Sequence, residues 1–554
     1  MFHRAPTDNA VLRRVAAVAL IGTLIGTLIG AVLVTFGGTV GGQWLNLDDD
    51  VHVTANPHLN PVTGASLRRL WSAAYEDLYI PLAYTLFAAE TQASRLLAGG
   101  KETTPPDPWL FHAVSLALHA ANVLLVWSLL QRLVPGGIWP AMAGALLFAV
   151  HPLQVESVAW ISEQRGLLSA TCSLAALALH LAAGRSVRGS GRWWTQTVAA
   201  ALLFGLALLA KPQAVAMPLV AWLLEVFGTG RPARVVARDL LPWFLLAGLA
   251  TLVAGSLQRA DRTASVAAWL RPIVAGDAVA FYAAKLVAPF GLCIDYGRTP
   301  QAVLAQTTAC ALAVVAWLVL AAIWLVPRLR SARLPAAVSV AALLPVLGFA
   351  PFLFQNISTV ADRYCYPAML GPALAATWLT TWALERRSRR PVILATVAVL
   401  AVLAATSFVQ ARTWRNSITL ARHAIGVNPA SLLGNCNLGA AFLDDDDPRQ
   451  AVGWLRRAVA ASPRHVNANL NLGMALDKLG QLDEAASSYE VVLSLRPAHA
   501  EAHNYLGVLH ARRGRVAKAA EHFRAAVATK PGYRDARLNL ERANRVLEGR
   551  GSGH

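Results

Sequence analysis

Three carboxylates in a row, Asp48-Asp49-Asp50, follow the first long apolar run of the chain. Neighbouring carboxylates raise one another's pKa, which suits a general base working near neutral pH. A cation site and a plain solvated turn have the same composition. A second polar stretch runs His151-Pro152-Leu153-Gln154-Val155-Glu156-Ser157-Val158-Ala159-Trp160, with Glu163 and Arg165 beyond, and joins two apolar runs. Ionisable groups there are costly unless paired or solvated. The stretch reads either as a capped helix end with a Glu–Arg pair or as a polar wall around a reacting group. Lys211-Pro212 divides the apolar segment 195–227, and Asp362-Arg363-Tyr364 precedes another. Lys211 and Arg363 can each snorkel to water or pair with a lipid phosphate. Arg259, Arg262, Arg271 and Arg298 are accompanied by few acids, namely Asp261, Asp277 and Asp295. A guanidinium patch of that kind suits an anionic phosphate. His112 and His119 are seven apart on one helical face and read as a bundle-facing polar stripe.

The elements that carry these residues are set by hydropathy. Of 554 residues, 56% are hydrophobic and 14% charged, against about 25% charged in a soluble protein. The deficit ends near Gln410, beyond which charge returns at ordinary frequency. Lipid is therefore the expected solvent for the first three quarters and water for the rest. Candidate spans lie near 15–36, 108–130, 138–150, 166–183, 195–210, 213–228, 240–257, 305–326, 335–354, 364–384 and 391–410. The first is too long for the apolar core of a signal peptide and reads as an uncleaved span. Its Gly22, Gly26 and Gly30 form a small-residue stripe expected to pack against another helix. Segment 277–291 is interrupted by Asp277 and Lys285 and reads as an outer-surface or re-entrant helix.

The net charge of +18 is placed in clusters between spans: Arg185, Arg188 and Arg192; Arg231, Arg234 and Arg238; Arg328, Arg330 and Arg333; and Arg386, Arg387, Arg389 and Arg390. With Arg4, Arg13 and Arg14 ahead of the first span, about 11 crossings put every cluster in the cytoplasm. That topology leaves the C-terminal region, the 37–107 loop and the acidic triplet outside. Amphipathic stretches near 67–79 and 82–97 are expected along the membrane surface. No basic face is interleaved with stacking aromatics, so nucleic acid is not an expected partner. The five cysteines form no C-x-x-C or His-flanked group. Cys172 and Cys310 fall inside apolar runs, and a Cys293–Cys365 bridge is open if both face outward.

Beyond the last span a period of 34 is legible. Gly439, Gly473 and Gly507 keep it, as do Ala451, Ala485 and Ala519, then Leu455, Tyr489 and Phe523, and Pro429, Pro463, Pro497 and Pro531. Small residues at a helix crossing and proline at the unit's end are the tetratricopeptide signature. The expected organisation is all-α: a membrane helix bundle over 1–411, a connecting half-unit over 412–431, and a repeat solenoid over 432–548 with three repeats and a capping helix.

The joint pattern of Asn46-Leu47-Asp48-Asp49-Asp50 with Asn56-Pro57, His151-Pro152 through Trp160 and Arg165, Ala210-Lys211-Pro212, Ala361-Asp362-Arg363-Tyr364 and Trp414-Arg415 before the repeats resembles one family. It is similar to bacterial relatives of the transmembrane and tetratricopeptide-repeat protein O-mannosyltransferases, from about residue 44 to the end. Leu47 stands where family members often have tyrosine, and Gly166 follows Arg165 where many read Lys-Asp. The resemblance implies a GT-C-type, multi-pass glycosyltransferase of the bacterial inner membrane that uses a polyprenyl-phosphate sugar. Its expected acceptor is a Ser or Thr hydroxyl of an extracytoplasmic protein, engaged by the repeats. An acid of the first outer loop is the implied base, here Asp49 with Asp48 and Asp50 as the other choices. Arg363, Lys211 and Arg165 are the expected donor-phosphate residues, and His151, Glu156, Asp362 and Tyr364 the expected pocket. The implied cofactor is the lipid-linked donor; a divalent cation stays open without being indicated. Two other readings stay open: a membrane-anchored repeat scaffold for envelope assembly, and a polysaccharide ligase or polymerase using an undecaprenyl-linked glycan.

Overall fold

A computed structural model describes residues 8–100, 105–257 and 266–551. Arg4, Arg259, Asp261 and Arg262 lie outside the described residues. Those described are helical, with two isolated bridges and no strand. The chain divides into two units, Met1–Asn416 and Ser417–His554.

In the first unit, eight helices are long and apolar enough to cross a membrane among the described residues. They are Val18–Gly41, Pro108–Leu133, Ile161–Ala183, Gly191–Ala210, Pro212–Thr229, Thr307–Leu325, Pro327–Val346 and Arg389–Trp414. Two bent pairs, Ile138–Val150 with Pro152–Ala159 (51°) and Ala233–Asp239 with Leu241–Leu257 (57°), bring the number to 10 if each is one span. The expected crossing at 364–384 is the helix Leu370–Arg386, whose 17 residues fall short of the ~20 that a straight crossing takes. The 277–291 segment belongs to the helix Arg271–Val287, which lies along Thr307–Leu325 with Gly276 against the Trp317 indole.

These helices share a polarity. Gln164–Ala183 starts beside Glu163 and ends at Arg185; Gly191–Ala210 runs back from Arg192 to Lys211. Arg389–Ala411 starts in the basic cluster and leads to Trp414, whose ring lies 6.2 Å from that of Trp160. Two of the basic clusters are tied together at their end: Arg188 and Arg231 both pair with Asp239, at 2.7 and 2.8 Å. The opposite end gathers residues 151–163, 211 and 412–415, where Gln43 N–H donates to the Arg415 carbonyl. Residues 412–416, expected in the connecting half-unit, therefore pack with the membrane unit.

Two expectations are corrected here, the glycine stripe and the place of Arg298 in an anion patch. The Gly22, Gly26 and Gly30 stripe packs on nothing within 4 Å, and the first helix instead buries Leu24, Leu28 and Val32. Branched side chains fill the groove that glycine would have left shallow. The 37–107 loop has a core of its own. Thr63 caps Gly64–Ser72 by accepting the Ser66 N–H at 3.0 Å, and this helix and Pro81–Leu97 enclose a core of Val53, Leu59, Leu70, Ile80, Tyr84 and Phe87. Arg298 belongs to no anion patch, because both its Nε and Nη2 donate to Asp277. No disulfide joins any of the five cysteines, Cys293 and Cys365 included.

The second unit is built from helix pairs that repeat every 34 residues: Leu432–Asp444 with Pro448–Ala461, Val466–Lys478 with Leu482–Leu495, and Ala500–Arg512 with Val516–Thr529. Ser417–Val427 precedes them and Arg534–Gly551 follows. The period is also written in the caps. Ser431, His465 and His499 each accept a backbone N–H three residues on. Within each pair the turn needs a left-handed residue, supplied by Gly480 and Gly514 and in the first repeat by Asp446 (φ 56°). The helices cross at glycine, where a Cβ on Gly473 would sit 2.5 Å from Tyr489 Cε1. Gly473→Leu is therefore expected to destabilise the isolated unit, residues 417–554, by about 1–3 kcal/mol through overpacking. Denaturant melts of the two fragments measure this, and superimposable curves would refute the close crossing.

Candidate functional site

The acidic triplet splits into three environments. Asp49 is fully buried: its Oδ2 accepts Leu45 N–H at 3.0 Å, and its Oδ1 accepts both Ser162 N–H (3.0 Å) and Ser162 Oγ–H (2.5 Å). Burial pushes its carboxyl up to about 6, against the pull of those donors. This side chain fastens the 37–107 loop to the turn at Ile161–Glu163. Asp50 points away, exposed, at the start of the short helix Asp50–Thr54. Asp48 is half-exposed (45%) and faces Arg165 at 3.8 Å.

Behind Asp48, three cations from distant parts of the chain converge on one carboxylate, Glu163. Lys211 Nζ lies 2.6 Å from its Oε2, Arg165 Nε 3.4 Å and Arg363 Nε 3.9 Å from its Oε1. Local sequence explains the delivery. Pro212 keeps Lys211 out of the helical region, and its backbone is extended (φ −155°, ψ 122°), so the Gly191–Ala210 helix ends with the ammonium turned to Glu163. Gly166 allows the start of the next helix to come close, since a Cβ there would sit 2.8 Å from Glu163 Oε2. Arg363 clasps Glu156 twice: its backbone N–H donates to Oε2 at 3.1 Å and its Nη1 to Oε1 at 2.5 Å. Its guanidinium also lies over the rings of Phe354, Tyr364 and Trp160, at 4.2, 5.0 and 5.4 Å. Cation–π contacts strengthen when desolvated.

The three cations face two carboxylates, Glu156 and Glu163, which leaves one positive charge over before Asp48 is counted. Beside them opens a cleft lined by Lys211, Arg363, Gln213, Ser169 and Ser173 together with apolar side chains such as Phe148, Leu174, Met217 and Leu370. Two cations in a largely apolar cleft are complementary to an amphiphilic anion.

The remaining expected pocket residues serve the frame. His151 Nδ1 accepts Leu153 N–H at 3.2 Å while its Nε2–H donates to the Leu286 carbonyl at 3.0 Å, so both nitrogens are used by backbone. Asp362 accepts from Tyr296 Oη at 2.7 Å, and the Tyr364 carbonyl accepts from Gln213. His119 bonds Tyr366 Oη and the Ala149 carbonyl inside the bundle. Sequence reasoning saw Glu163 only as a partner of Arg165 and missed Ser162 and His52. A carboxylate beside a Glu–Arg motif was the available signal for Glu163; a lone serine 113 residues from its aspartate carried none. Among the described residues no group of three or more His, Cys, Asp or Glu is placed to hold a metal ion.

A tetratricopeptide-repeat family profile matches residues 436–498 and 470–534. The repeat region is similar to Protein O-mannosyl-transferase TMTC2 of Homo sapiens, 34% identical over 122 residues, which is 22% of this chain and 14% of that protein. Protein O-mannosyl-transferase Tmtc1 of Drosophila melanogaster is 33% identical over 130 residues, 24% of this chain and 14% of its own length. The match thus spans about one seventh of these curated relatives. Among solved structures, YrrB, titled a TPR protein with an unusual peptide-binding site, is 24% identical with a TM-score of 0.23, over 30% of this chain and 89% of that one.

Proposed function

We propose that this chain is a membrane glycosyltransferase that moves a sugar from a polyprenyl-phosphate carrier to a Ser or Thr hydroxyl of an extracytoplasmic protein. The observation that carries the reading is the convergence of Lys211, Arg165 and Arg363 on Glu163, the first and last of them lining an apolar cleft and Arg165 facing a half-exposed aspartate. The similarity of the repeats to O-mannosyl-transferases supports the reaction class.

Of the triplet, Asp48 is the better base. The expectation centred on Asp49, but a base must reach the acceptor hydroxyl, and Asp49 is enclosed with donors on both oxygens. In the proposed step Asp48 takes the hydroxyl proton, and the freed oxygen attacks the anomeric carbon. The bond from that carbon to the phosphate oxygen breaks, and its electron pair leaves with the lipid phosphate. Lys211, Arg165 and Arg363 stabilise the charge gained there by preorganised electrostatics. The configuration at the anomeric carbon inverts.

The basic clusters at one end of the bundle belong in the cytoplasm by the positive-inside rule. Residues 412–415 lie at the other end, with the site, so the chain leaves the membrane on the outer side. An alkaline phosphatase fused after Gln410 is expected to be active; an inactive phosphatase with an active cytoplasmic reporter at that position would overturn the topology. The function itself is tested by mass spectrometry of envelope proteins and glycans from a deletion strain. Loss of hexose from Ser or Thr of outer proteins supports the proposal. A change confined to glycans points to a polysaccharide ligase, and no change at all to a scaffold.

A further inference from the structure

His52 follows the acidic triplet by two residues and is buried on the Asp50–Thr54 helix. Its two nitrogens have different partners. Nε2 lies 3.4 Å from Arg165 Nη1, and Nδ1 lies 3.0 Å from Tyr84 Oη. A guanidinium only donates, so Nε2 must be the acceptor and Nδ1 must carry the proton, which it gives to the Tyr84 oxygen. Burial, with Arg165 adding to it, pushes the imidazole down to about 4 and keeps it neutral, as that assignment needs. Tyr84 cannot swing away, because its ring is wedged edge-on against Tyr75 and Phe87 within the loop core.

Arg165 is thereby held from three directions: Asp48 at 3.8 Å, Glu163 at 3.4 Å and His52 at 3.4 Å. Without the imidazole, its guanidinium is free to collapse onto either carboxylate. Collapse onto Asp48 would blunt a base, and collapse onto Glu163 would compete there with Lys211 and Arg363, the two cations that line the cleft. We infer that His52, fixed by Tyr84, is a positioning residue that sets the guanidinium of Arg165 between Asp48 and Glu163, the carboxylate on which the two cleft-lining cations converge. The inference rests on the lipid-phosphate reading above. It adds that the outer loop contributes to donor binding through one hydrogen bond.

The test measures binding of undecaprenyl monophosphate to the purified full-length protein in detergent. His52→Ala is expected to weaken binding about tenfold, as for loss of a hydrogen bond to a charged group, and to have no further effect in an Arg165→Ala background. A purely structural role would give independent, multiplying losses in that cycle. His52→Gln, whose side-chain oxygen reaches the place of Nε2, is expected to restore most of the affinity, and His52→Asn, which reaches only the place of Nδ1, is not. Multiplying losses, or Gln and Asn variants that bind alike, overturn the positioning role while leaving the cleft reading intact. Failure of the unaltered protein to bind the probe overturns the cleft reading, and the inference with it.

Discussion

Asp48→Asn is expected to lower sugar transfer by ~10²–10⁴-fold, the usual contribution of a general base, while leaving the membrane unit folded. The carboxylate is half-exposed and its partner is a single guanidinium at 3.8 Å, so an amide of the same shape disturbs little. Asp49→Asn should behave differently. One end of the new amide is a donor, and it must face either Leu45 N–H or the Ser162 donors. A buried donor opposed to a donor costs ~1–3 kcal/mol, so this variant should melt earlier and lose activity in proportion to a loosened loop. Asp50→Asn, at an exposed position, should be close to unaltered. Rates in purified membranes together with melting temperatures separate the three. If Asp48→Asn transfers sugar normally, the proposed mechanism is wrong, whatever the other two do.

The largest stability effect is expected at Arg363. Its side chain is 8% exposed and that of Glu156 1%, so Arg363→Ala leaves a carboxylate uncompensated in the interior. Breaking one side of a buried pair costs about 3–5 kcal/mol, enough for the variant to be degraded or to aggregate on extraction. Removing both charges, as in Arg363→Met with Glu156→Gln, should recover most of that stability, since apolar or neutral replacements of buried pairs are often tolerated. Transfer should not recover, because the phosphate has still lost a cation. A double variant that stays as unstable as the single one would mean that the Glu156–Arg363 pair is not what holds these segments together.

What the sequence disclosed and what it hid follow from where each constraint acts. The repeats were legible because the constraint is local: Gly473 and Tyr489 sit sixteen positions apart, and the next crossing keeps glycine and an aromatic ring at the same spacing in Gly507 and Phe523. The basic clusters were legible because topology depends on charge between spans, not on packing. Lys211, Arg165 and Arg363 could be named as cations at apolar boundaries, but their meeting on Glu163 could not, since nothing in the chain marks three segments as neighbours. The triplet was the hardest case. Its three members are chemically identical, and Ser162 decides which one turns inward. Patterns of residue type also misled where geometry overrode them, as with the first-helix glycines and with Arg298, whose charge is spent on Asp277.

The Glu156–Arg363 pair has a consequence for how the protein is made. Its members are separated by 207 residues, and a ribosome adds about 5–20 residues per second. Glu156 therefore enters the bilayer region some 10–40 seconds before its partner has been synthesised. Over that interval the newborn bundle has to keep this carboxyl protonated, wet, or sheltered by the insertion machinery. Closure of the interior is thus a late event of biogenesis, and a chain stalled short of residue 363 presents an unmatched acid where a finished one presents none.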